Sequence, residues 1–148
     1  MERKNDIMHL IKKINFQMRT AMDAQLREND LTFTQMIVLR YISQNGGTAG
    51  QKEIQEYLNV SHPTVVGLVK RLESHGFVEC RADEQDRRSK LVTLTTSARE
   101  FGRSMEEGKK KADEAVLGSF SEEELAEFTR LLNKLYDSIN RQEVTEDD

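Results

Sequence analysis

The side chains able to perform covalent or metal chemistry are few and scattered. Histidine occurs at positions 9, 62 and 75, and cysteine only at 80. No local spacing pairs His9, His62 or His75 with a nucleophile or a second metal ligand. No catalytic residue, metal site or cofactor is therefore expected. Cys80 lies beside Val78 in an alternating segment and reads as a packed structural thiol. As the sole cysteine it excludes an intramolecular disulfide and suits a reducing, cytoplasmic setting. The chemistry the residues do support is electrostatic. Arg87 and Arg88 stand together in the polar stretch Ala82–Ser89, with Arg81 and Lys90 on either side. Such guanidinium and ammonium groups suit phosphate.

These cations need a scaffold, and the chain is large enough to build one. Its 148 residues make about one domain, with 36% hydrophobic and 32% charged residues. The net charge of −4 is unevenly spread. Residues 1–92 carry 14 Lys and Arg against 12 Asp and Glu, whereas residues 93–148 carry 8 against 14. A basic face and an acidic end can coexist, because local potential decides what binds. No apolar run approaches the roughly 20 residues of a membrane span, and the opening residues lack a signal-peptide core, so no membrane association is expected.

Hydrophobic spacing places the elements. Ile7, Ile11, Ile14, Met18 and Met22, broadened by Leu10 and Leu26, predict a helix over about 4–28. Thr32 and Gln35 have capping-box spacing, and Leu31 and Met36 that of a hydrophobic staple. A helix over about 33–44 follows and stops at Asn45-Gly46-Gly47. Thr48 and Gln51 repeat the capping-box spacing before a short helix bearing Ile54 and Leu58. Ser61 then caps a helix over 62–75, with Pro63 in its first turn and Val65, Leu68, Val69 and Leu72 turned inward. Two short helices joined by a few residues form a helix-turn-helix. After Gly76 the period becomes alternating, predicting strands at 77–81 and 90–94, a hairpin wing. A helix over about 96–117 follows. The last helix has Ser121 and Glu124 as a capping box, Phe120 and Leu125 as a staple, and the seam Leu125, Phe128, Leu132, Leu135, Ile139. The fold class expected is mainly α with a small β-hairpin wing.

In this layout the sequence resembles the MarR family of bacterial transcription regulators. The resemblance is carried by LTFTQMIVLRYI, by QKEIQEYLNVSHPTVVGLVKRLESHGFVECR and by DEQDRRSKLVTLT, within residues 31–95. It implies one domain over 1–148: a winged helix-turn-helix core at 30–96, dimerisation helices at 4–28 and 97–141, and a frayed acidic tail at 142–148. It further implies a homodimeric repressor that binds a palindromic duplex DNA operator and is released by a small aromatic or phenolic acid. The alternative is a winged-helix module that binds protein and makes no DNA contact.

The resemblance makes 62–75 the recognition helix, whose first residues reach base edges in a major groove. His62, Pro63, Thr64, Val66, Gly67 and Lys70 then face the duplex, with Ser61 at the cap. Relatives often carry a polar residue and an arginine where this chain has Val66 and Gly67. The departure favours apolar contact with thymine methyls, although a Val-Gly pair also suits close helix packing. Thr48 and Gln51, beginning the preceding helix, face a phosphate or serve only as caps. In an extended wing, parity puts Asp86 and Arg88 on one side and Arg87 on the other. Asp86 would hold the Arg88 guanidinium for a minor groove and Arg87 would meet a phosphate, while Arg81 and Lys90 would add phosphate contacts or simply face solvent. Phe16, Met36 and Arg40 are the candidate effector residues, with Arg40 pairing a carboxylate.

Overall fold

The computed structural model describes residues 2–143. In chain order the elements are α1 (Glu2–Arg27), α2 (Phe33–Gln44), β1 (Thr48–Gly50), α3 (Gln51–Leu58), α4 (His62–Ser74), β2 (Val78–Ala82), β3 (Lys90–Leu94), α5 (Thr96–Leu117) and α6 (Glu122–Glu143). Of the expected acidic tail, Gln142 and Glu143 end α6, and residues 144–148 lie outside the described residues.

Local hydrogen bonds explain where the helices begin. The Thr32 hydroxyl accepts the Gln35 backbone N–H at 3.2 Å, and the Gln35 side-chain oxygen accepts the Thr32 N–H at 2.9 Å. Ser121 and Glu124 repeat this reciprocal pair at 3.2 and 2.9 Å. Each box satisfies two backbone donors that the first turn leaves open. At the head of α6 the Phe120 ring, expected against Leu125, stacks nearly parallel on Phe128 with centroids 6.2 Å apart. At the other end of α3, Asn59 takes a left-handed φ of 52°, which asparagine tolerates better than most residues.

One element was not foreseen, and it corrects the reading of Thr48. Thr48, Ala49 and Gly50 form a strand rather than a helix cap. They pair antiparallel with β3, which also pairs antiparallel with β2, giving the order β1-β3-β2. Thr48 Oγ1 lies 3.0 Å from Thr93 Oγ1 across the sheet. The cap of α3 is Gly50 instead, whose N–H donates to the Glu53 carboxylate at 2.8 Å. Strand pairing with a segment more than forty residues away overrides the local spacing of Thr48 and Gln51.

The chain divides into two compact units between Gly102 and Arg103. In the first unit the core gathers Leu26, Leu31, Val38, Ile42, Ile54, Val65, Val69, Leu72, Val78, Val92 and Ala98. Leu68, expected inside, is only half-buried. Ile54 and Leu72 are fully enclosed, so α3 and α4 are held rigidly against each other and against the sheet. Tyr41 of α2 stacks on Tyr57 of α3 at 4.3 Å, and Phe77 meets Phe101 edge to face at 5.5 Å. The Arg19 guanidinium lies 3.5 Å from the centre of the Phe33 ring, tying α1 to α2. In the second unit α6 carries Leu125 and Leu135 half-buried, while Phe128, Leu132 and Ile139 stay exposed.

Candidate nucleic-acid interface

The outward side of α4 is built from the same period that buries Val65, Val69 and Leu72. His62, Pro63, Thr64, Gly67, Lys70 and Arg71 are exposed, and Val66 is half-buried. Ser61 caps the helix, its hydroxyl 2.8 Å from the Thr64 hydroxyl and 3.4 Å from the Thr64 backbone nitrogen. The Thr64 hydroxyl is thus oriented by Ser61 and keeps hydrogen-bonding capacity for an outside group. Pro63 stands in the first turn, where its missing N–H costs nothing. Arg71 was not singled out from sequence. Its distance of four from Gly67 puts it on the same side, a signal the helical period alone contains. Gln51 is half-buried as the first residue of α3.

In the wing the structure corrects one premise. Residues 86–89 are a turn, not an extended strand, so parity does not place Asp86 beside Arg88. The Asp86 carboxylate accepts the Arg88 backbone N–H at 3.1 Å, and the Asp86 carbonyl accepts the Ser89 N–H at 2.8 Å. Asp86 therefore shapes the turn and does not pair with the Arg88 guanidinium. Short side chains such as aspartate readily bond the backbone two residues on, and here that local bond wins. Arg87 and Arg88 remain exposed, with no ion pair to either among the described residues. Lower in the hairpin Lys90 stands across from Ala82 and Arg81 across from Leu91, which sends their side chains to opposite faces.

Cys80 is half-buried, opposite Val92, and its backbone N–H donates to the Glu73 carboxylate at 3.2 Å. Burial first, then the charge of Glu73, pushes the thiol above its ordinary range, and Lys90 pulls it back in part. Alkylation by iodoacetamide is therefore expected to be slower at pH 8 than for a free cysteine, with its rise displaced to higher pH. The same shift makes stability fall with rising pH once the unfolded thiol begins to ionise, because the unfolded chain then binds fewer protons. An alkylation profile matching a free thiol would contradict this environment.

Of the candidate effector residues, Met36 and Arg40 lie one turn apart on α2 and Phe16 lies on α1. Phe16 of α1 is 72% exposed, Met36 is half-buried and Arg40 is exposed one turn further along α2. A shallow groove lies elsewhere, lined by Phe120, Glu123, Glu124, Glu127, Phe128 and Leu131. His9, His62 and His75 are far apart in sequence, and no cluster of three possible metal ligands occurs among the described residues.

A short helix α3 buttressing an exposed helix α4, followed by a β-hairpin whose tip exposes Arg87 and Arg88, defines a winged helix-turn-helix protein. Residues 29–89 match the sequence model of the MarR family. YwoH of Bacillus subtilis, described as an uncharacterized HTH-type transcriptional regulator, is 38% identical over 126 residues, 83% of this chain and 90% of YwoH. The chain belongs to the MarR family. The transcriptional activatory protein BadR of Rhodopseudomonas palustris is 36% identical over 116 residues, 75% of this chain and 65% of BadR. The S. aureus MepR–DNA complex shares the fold with a TM-score of 0.75 at 28% identity, over 88% of this chain and 98% of MepR.

Proposed function

We propose that this protein is a homodimeric transcriptional regulator that binds a palindromic DNA duplex. The observation that carries the reading is the exposed side of α4 from His62 to Arg71, set beside a wing with two exposed arginines that pair with no carboxylate among the described residues. In this reading residues 30–96 are the DNA-binding core. His62, Thr64 and Val66 meet base edges, while Lys70, Arg87, Arg88 and Lys90 meet backbone or minor groove. Ser61, Pro63 and Gln51 position the two helix starts. The capture of a complex with DNA by MepR supports the same use of this fold.

The remaining helical residues, 4–28 and 97–141, form the dimer contact. Ile7, Leu10, Ile14 and Met18 on α1, and Phe128, Leu132 and Ile139 on α6, are large apolar side chains left open in the single chain. Exposed apolar stripes of this kind mark association surfaces. Two-fold symmetry then sets the α4 helices about one DNA turn apart, roughly 34–36 Å. As a repressor working in the cytoplasm, it releases DNA when a small aromatic acid binds, with Arg40 and Met36 on one face of α2 as contacts. Family membership supports these last steps. No described helix is long and apolar enough to cross a membrane.

The test is selection from a random duplex pool at a stated salt concentration. An inverted repeat with half-sites one turn apart is expected, and a panel of aromatic carboxylates should weaken binding about 5–150-fold. Failure to enrich any duplex would overturn the DNA reading in favour of a protein-binding module. Enrichment with no response to the panel would remove the effector step alone.

A further inference from the structure

The outward side of α4 carries a glycine that nothing among the described residues requires. Pro63, Thr64, Gly67, Lys70 and Arg71 share one side of the helix and are exposed. A Cβ placed on Gly67 would meet no atom within 4 Å, so the expectation that a small residue serves close packing does not hold there. Gly67 sits inside a regular helix, where glycine is among the least favourable residues. Gly47 shows the contrast: its φ is +90°, a left-handed conformation that favours a glycine. Gly67 has no positive φ, and no described atom comes near a Cβ placed on it. The gap is one residue wide, bounded by Thr64 a turn before and by Lys70 and Arg71 a turn after.

We propose that Gly67 is a specificity-determining position, where bare helix backbone lies against an A·T base pair in the major groove and Val66 beside it meets the thymine methyl. The proposal rests on the DNA-binding reading above and deepens it. A bare backbone admits the closest approach of helix to base edge, as glycine does wherever backbone meets ligand. No side chain at 67 offers a donor to the acceptors of guanine, whereas the half-buried Val66 presents apolar surface that suits a methyl group. Position 67 is thus open to a group from outside the protein.

The test compares the unmutated chain with Gly67→Ala and Gly67→Arg, each passed through selection from a random duplex pool. Each is also titrated against the duplex the unmutated chain selects, and melted. Gly67→Ala is expected to melt about 2–4 °C higher, because alanine favours the helix and meets no neighbour. It should nevertheless bind the selected duplex about tenfold more weakly, with an unchanged salt dependence because no charge is altered. Gly67→Arg should redirect selection toward guanine at that base pair, through a bidentate contact. Unchanged affinity and selection for Gly67→Ala would overturn the proposal while leaving DNA binding intact. A lower melting temperature for Gly67→Ala would also overturn it, by showing that the chain itself needs the glycine. If the unmutated chain selects no duplex, the DNA-binding reading falls and takes this proposal with it.

Discussion

Replacing Leu132 and Ile139 together by glutamate is expected to convert a dimer into a folded monomer. It should also cut affinity for a palindromic site by about 10²–10⁴-fold. The two side chains are 43% and 45% exposed in the single chain, so a large part of each is open to a partner. A dimer that covered them would have to bury two uncompensated carboxylates per protomer, which it avoids by dissociating. The loss on DNA follows because the second half-site is then no longer engaged at a high effective concentration. Leu125 and Leu135 are half-buried within the chain, so changes there would mix unfolding with dissociation. Sedimentation velocity with circular dichroism separates the two outcomes. A monomeric unmutated protein, or a double variant that stays dimeric, would refute the assignment of α6 to the interface.

Removing both wing arginines, Arg87→Ala with Arg88→Ala, should lower the slope of log affinity against log salt by roughly 3 to 4. Four cations leave a dimer, and each phosphate-type contact contributes about 0.9. The side chains are exposed and form no ion pair among the described residues, so fold stability should change little. Arginine entering a minor groove also favours A·T-rich flanks, so that preference should weaken. Asp86→Ala provides the control. It keeps both cations but frees the Arg88 N–H and loosens the 86–89 turn, so affinity should fall a few-fold, by about 1 kcal/mol at most, with the slope retained. Titration at several salt concentrations reads all three. An unaltered slope in the double variant would show that the wing does not touch DNA.

What the sequence determined by itself is what neighbouring residues settle between themselves. The Thr32–Gln35 and Ser121–Glu124 boxes, the Ser61 cap and the stop at Asn45-Gly46-Gly47 are hydrogen bonds and backbone preferences spanning three or four residues, and they appear where the spacing places them. The helical stripes were legible for the same reason, and with them the order of elements and the family. Tertiary structure decided what depends on distant partners. Strand β1 is three residues long and exists because the edge of β3 pairs with it, which turned Thr48 from a cap into a strand residue. An apolar period cannot tell which of its members a chain covers, so Leu68 proved half-buried and Leu132 open only in three dimensions. Close packing at Gly67, one of two readings the sequence leaves open, is removed only by the empty space around it in three dimensions. At Asp86 extended parity was the wrong guide, because a turn replaces the strand and the carboxylate satisfies a backbone N–H. Local hydrogen bonds are written in residue type and spacing, whereas burial and strand pairing join residues whose distance in sequence carries no such signal.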